Sequence, residues 1–262
     1  MYSRLGYFLF LWLAFSFFSC HREALYADLE KLSGTGVIPI DSDRVRGVIG
    51  EVFSQYIYVE TPNGQRVNIF GTQGVQEEQM EYAKEILLNY FSTSGEAFST
   101  SQKEILMNSM GNRKCALVFF EDEEEFEEHI VRVSLSGFNV QDLYASESLN
   151  SGNRDASYEE ILHLVHNYGI APTLFTYQDR LQKACDVAIE SGLYSPPDDL
   201  PKADFDDEYF AALMDCYLGL WEGTDGTMDG EYRPSSKGEM LMEDPEGYQL
   251  VRDLFGDIQR VH

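Results

Sequence analysis

The stretch Ser157-Tyr158-Glu159-Glu160-Ile161-Leu162-His163-Leu164-Val165-His166-Asn167-Tyr168-Gly169 gathers two carboxylates, two imidazoles and an amide within thirteen residues. On an α-helix, with Glu159 set at 0°, His163 falls at about 40°, His166 at about −20°, Asn167 at about 80° and Glu160 at about 100°. Ile161, Leu162, Leu164 and Val165 fall between about 140° and 300°. One face is therefore apolar and suited to packing inward. The other is polar and carries no Lys or Arg. An imidazole and a carboxylate one turn apart can hold a divalent metal, and a second carboxylate beside them can move a proton. A purely local reading also exists. Ser157-x-x-Glu160 matches a capping box, the acids suit a helix N-terminus, the histidines suit the last turn, and Gly169 suits a C-terminal stop. On that reading the polar face is capped and solvated, and does no chemistry.

The segment resembles the active-site helix of zincin metallopeptidases, whose pattern is His-Glu-x-x-His. Here the frame is Glu159-Glu160-Ile161-Leu162-His163. The resemblance implies zinc as cofactor, His163 as the second ligand and Glu160 as the general base. Glu159 stands where the first histidine belongs. A carboxylate can ligate zinc at this spacing, but the added negative charge lowers the metal's acidity toward water. Zincins of the glutamate type take a third ligand from a later helix. Asp207-Glu208-Tyr209-Phe210-Ala211-Ala212-Leu213 begins such a helix, and Glu208 is its candidate. An alternative metal site uses Glu159, His163 and His166 on the one helix, with Glu160 beside it. The resemblance further implies a polypeptide substrate laid along an edge strand, and an oxyanion-stabilising side chain downstream, where Tyr232 and Tyr248 stand. Its architecture would run over about residues 75–255. Two other readings stay open: a zincin-like fold without catalysis that binds a protein partner or serves a structural role, and an unrelated α+β envelope protein. A di-iron bundle needs a second Glu-x-x-His, which is absent.

The elements that must position these residues follow from local pattern. Tyr56–Glu60 and Arg66–Phe70 flank Thr61-Pro62-Asn63-Gly64-Gln65 and read as a hairpin. Val75–Phe91 and Gln102–Met110 read as helices. Cys115–Phe120 is a continuous apolar run, expected as a central buried strand. The acidic run Glu121–Glu128 reads as a solvated loop or helix start. Ile130–Leu135 alternates and reads as a strand, and Phe138–Tyr144 as an edge strand. Helices are expected over 157–168, 178–191 and 207–220, then a glycine-rich loop at 224–233 and two short helices broken at Pro245. Asp225-Gly226-Thr227-Met228-Asp229-Gly230 reads as turns, since its spacing does not match a calcium loop. The fold class is α+β: one zincin-like domain over 53–262, with a small mixed sheet, the motif helix and a helical C-terminal half.

The chain has 262 residues, 45 Asp+Glu and 19 Lys+Arg, for a net charge of −26. That balance argues against nucleic acid, whose phosphates need clustered Lys and Arg. It also argues against electrostatic docking on anionic membranes. With 17 Phe, 16 Tyr and 44% hydrophobic residues, the chain can build a core. No P-loop or GxGxxG supports a nucleotide fold. Residues 1–20 have one early charge, Arg4, then an apolar run too short to span a bilayer, the anatomy of an export signal. The end, Phe17-Phe18-Ser19-Cys20, resembles a bacterial lipoprotein signal. It implies lipidation of Cys20 and a protein held in the cell envelope by a lipid anchor, its only membrane contact. Secretion and an uncleaved anchor are the alternatives. Residues 21–52 read as a tether. Cys115, Cys185 and Cys216 lack the spacing of a disulfide framework and read as buried thiols.

Overall fold

The computed structural model describes residues 28–92, 95, 97–149, 155–223 and 225–261. The signal segment and Cys20 lie outside the described residues. The sheet has five strands in sequential order: β1 (Ile38–Pro39), β2 (Gln55–Glu60), β3 (Arg66–Gly71), β4 (Cys115–Phe120) and β5 (Asn139–Tyr144). β2 runs antiparallel to both β1 and β3. β3, β4 and β5 run parallel, so the sheet is mixed. β2 and β3 form the expected hairpin, with Tyr58 opposite Asn68. All six residues of β4 are buried, as its unbroken apolar run requires when both faces are covered.

Parallel strands need crossovers. The first crossover carries α2 (Glu77–Ser92) and α3 (Thr100–Asn112), after the short α1 (Val48–Val52) that precedes β2. The second is α4 (Glu123–Ser134). Its Asp122 accepts a hydrogen bond from the Glu125 amide, and Glu123, Glu124 and Glu125 fill the first turn, where the helix dipole favours acids. The acidic run is thus a helix start. The alternation at Ile130–Leu135 proves helical rather than strand-like: Val133 is buried while Val131 and Leu135 face solvent.

Alternate residues on the strands feed two cores. Ile57, Val59, Val67, Ile69, Leu117 and Leu143 join the larger, helical side. Tyr56, Phe70, Ala116, Val118 and Phe120 face the smaller one. Leu29, Val45 and Ile49 are buried in that smaller core. The described part of 21–52 is therefore not a tether. It covers the second face of the sheet, which two-sided β4 could not leave in water.

The helical half comprises α5 (Ser157–Val165), α6 (Phe175–Ser191), α7 (Phe205–Leu218), α8 (Lys237–Glu243) and α9 (Pro245–Phe255). The last two are separated at Pro245, which opens α9 in its first turn. The expected α+β class holds. Cys115, Cys185 and Cys216 are free and buried. No helix among the described residues is long and apolar enough to cross a membrane.

The motif helix ends differently from its sequence reading. After Val165 the chain continues as a π turn over His166–Ile170, with the Ala171 amide bonded to the His166 carbonyl. Gly169 does not stop it. A Cβ there would lie 2.8 Å from Leu106 Cδ2 and 3.1 Å from Met110 Sδ, so glycine permits the turn to sit against α3. Gly169→Ala is expected to destabilise the fold by about 1–3 kcal/mol through overpacking. Chemical denaturation would measure it, and an unchanged midpoint would contradict this role.

Candidate metal centre

The N-terminus of α5 is held by residues outside its own motif. The Ser157 amide donates to Asp155 Oδ1 at 3.0 Å, and Tyr82 donates to Asp155 Oδ2 at 2.6 Å. Ser157 Oγ is 2.7 Å from Ser148 Oγ. Gln141 on β5 donates to Glu160 Oε2 at 2.7 Å. The capping box expected from Ser157 and Glu160 does not form, because both side chains are engaged by tertiary partners and the cap position belongs to Ala156.

Nor is most of the polar face solvated. α5 packs on β5 and on α7, and Glu159, His163 and His166 are 9%, 6% and 2% exposed. Polar groups this deep cost free energy unless they are paired. Their partners come from the first turn of α7. Asp207 Oδ2 lies 2.9 Å from His163 Nδ1, near enough to pair as charges although the N–H is not aimed straight at it. Asp207 Oδ1 lies 2.5 Å from His166 Nδ1, and Asn167 donates to Oδ2 at 2.9 Å. Glu208 Oε1 approaches His163 from the other side, 3.7 Å from Nε2.

The outcome is a group in which Glu159, His163 and Glu208 each bring one ligand atom within 4.8 Å of the others. Imidazole nitrogen and carboxylate oxygen are both metal donors. The three could hold a metal ion. Behind His163, Asp207 stands where a carboxylate fixes the ring of a metal-bound histidine. Sequence reasoning missed Asp207. Its only signal was its place beside Glu208, in a row of acids that any helix start could explain.

His166 is not part of the group. Its Nδ1 faces Asp207, and its Nε2 is 2.7 Å from Gln178 Oε1, whose amide nitrogen in turn bonds Asp206. With both ring nitrogens engaged, the single-helix alternative built on His166 is corrected. Of the downstream tyrosines, Tyr232 donates to Asp244 at 2.9 Å and is buried with it, so its hydroxyl is committed elsewhere. Tyr248 packs on Tyr217.

The electrostatics follow from these contacts. Burial pushes His163 down, but Asp207, with Glu160 and Glu208, pushes it up further, to about 9. Burial pushes Asp207 up, yet the hydrogen bonds and charge of His163 and His166 hold it far below the usual carboxylate range. Burial raises Glu160 to about 7, opposed by the His163 charge and aided by Asp142. A carboxyl poised there suits proton transfer at neutral pH. Beside the group opens a cleft of about 350 Å³ whose wall includes both Glu159 and Glu208.

Known proteins offer no further guide: no family model, no curated sequence and no solved structure matches the chain at a significant level.

Proposed function

We propose that the chain is an exported, zinc-dependent peptide hydrolase of zincin type, held in the cell envelope through a lipid on Cys20. The observation that carries the reading is the meeting of Glu159, His163 and Glu208 beside a cleft, with Asp207 behind the histidine. Bound zinc would supply Lewis acidity toward a carbonyl oxygen and toward water. The chain's own residues would do the rest. Glu159, His163 and Glu208 would hold the ion. Asp207 would keep the His163 proton on Nδ1, leaving Nε2 to face Glu208 and the metal. Gln141 would hold one oxygen of Glu160, whose other oxygen would take the proton of the attacking water. β5, the edge strand that carries Gln141, would align an extended polypeptide.

A second reading keeps the fold and gives up catalysis. On it the protein is a binding or structural lipoprotein with a protein partner. Glu159 favours it, because an anionic first ligand weakens the acidity that hydrolysis requires.

The deciding experiment is metal analysis of the purified protein supplied with zinc, beside His163→Ala. One zinc per chain, lost in the variant, is the expected result. No zinc in either protein would sink the metal reading altogether. Zinc without hydrolysis of unfolded protein would favour the second reading.

A further inference from the structure

His166 is buried where α5 passes into the π turn, and neither of its ring nitrogens faces Glu159, His163 or Glu208. The ring packs edge-to-face against Phe210 of α7, with centroids 5.4 Å apart. Both nitrogens meet oxygens: Nδ1 meets Asp207 Oδ1, and Nε2 meets Gln178 Oε1. A neutral imidazole has one N–H and one lone pair, so it serves two oxygens only if one of them brings a proton.

Gln178 brings none at that contact. Its amide nitrogen donates to Asp206 Oδ2, which leaves its carbonyl oxygen toward His166. Turned round, the amide would set its oxygen against the Asp206 carboxylate. Asp207 brings none either. Asn167 donates to its Oδ2, and the carboxyl is held far below the usual range, so it stays ionised. Both nitrogens of His166 therefore donate, and the ring carries a positive charge.

That charge stands where it is needed. The first turn of α7 carries Asp206, Asp207 and Glu208 in a row. Among the described residues no Lys or Arg pairs with Asp206 or Asp207. A carboxylate withdrawn from water without a cation costs free energy. The imidazolium bonds Asp207 directly and Asp206 through Gln178. Asp207 then sets its second oxygen 2.9 Å from His163 Nδ1.

We propose that His166 is a fixed imidazolium and the positioning residue of the metal group, holding Asp207 at the place from which Asp207 holds His163. Gln178, fixed by Asp206, keeps the proton on Nε2. The chain Asp206–Gln178–His166–Asp207–His163 thus ties α5, α6 and α7 together and ends on a member of the metal group. Its proton positions belong to the metal-free protein. Its effect on zinc rests on the proposed metal reading.

The test is nuclear magnetic resonance of the histidine rings, labelled with nitrogen-15, in the metal-free full-length protein near neutral pH. One proton on each nitrogen of His166 is expected, together with a proton on His163 Nδ1. A single ring proton on His166 overturns the proposal, whichever nitrogen bears it. This measurement needs no substitution, so it stands even where a variant fails to fold. His166→Gln keeps an amide donor and loses the charge. It is expected to speed solvent exchange of the His163 Nδ1 proton in the metal-free protein and to weaken zinc binding about tenfold. Added to Asp207→Asn, the same substitution is expected to weaken zinc no further, because His166 acts only through Asp207. A merely structural role would add its loss in both backgrounds. Equal losses in the two backgrounds, or a His163 proton unmoved by His166→Gln, overturn the positioning role. Absence of zinc from a wild type that keeps both His166 protons would overturn the metal reading and leave the hold on Asp207 and His163 standing.

Discussion

Glu160→Gln is expected to lower metal-dependent peptide hydrolysis by about 10²–10⁴-fold, the usual range for removing a general base, while zinc content stays at one per chain. The amide keeps the size of the carboxyl, and Gln141 can turn its own amide to suit it, so the fold should survive. Glu160 also lies outside the group that could hold a metal. The pairing of full metal with lost rate separates a proton-moving role from a ligand role. If the variant loses zinc in parallel with rate, Glu160 is a ligand and the assignment is wrong. If it keeps both, some other group takes the proton. The loss should appear in kcat more than in KM, because the proton moves only in the transition state.

Asp207→Asn is expected to weaken zinc binding about 10–100-fold, the usual effect of removing a carboxylate behind a metal-bound histidine. The same change should cost the metal-free protein roughly 3–5 kcal/mol, since it breaks a buried charge pair from one side. His163 keeps Glu208, but that carboxylate faces Nε2 rather than Nδ1. The pH dependence carries a sign that a packing defect would not imitate. His163 is raised from 6.5 to about 9 by the fold. Its contribution to stability is therefore complete below about 6.5 and disappears as pH rises through about 9. Asp207 is lowered from 3.8, so its contribution is present above about 3.8 and is lost as pH falls below it. In chelator the His163–Asp207 pair should contribute most between about pH 4 and 6.5, and Asp207→Asn should remove that contribution while leaving the slope due to Glu160, which the fold raises to about 7. Thermal melts from pH 4 to 10 would show it. Two parallel profiles would mean that the pair does not form.

Much of the fold was readable because it is local. The six apolar residues of Cys115–Phe120 point to a buried strand, and Pro-Asn-Gly between two β-branched runs points to a tight hairpin. The failures are equally physical. Ile130–Leu135 alternates as a strand would, but Asp122 and three acids upstream start a helix that runs through it. Residues 28–52 lack any period, yet β4 is apolar on both faces and something must cover the second one. Leu29, Val45 and Ile49 do so, a demand that originates tens of residues away.

The candidate site divides the same way. Helical periodicity alone placed Glu159, Glu160 and His163 near one face of α5, since 100° per residue is a property of the backbone. Which of them meets what was decided by packing. Adjacent residues of a helix point about 100° apart. When α7 lies against α5, Asp207 therefore reaches His163 at Nδ1 while its neighbour Glu208 reaches toward Nε2. One dipeptide thus grips both edges of one imidazole. No spacing along the sequence could say so, because the chain between His163 and Asp207 leaves the angle between the two helices open, and the buried apolar faces of both set it.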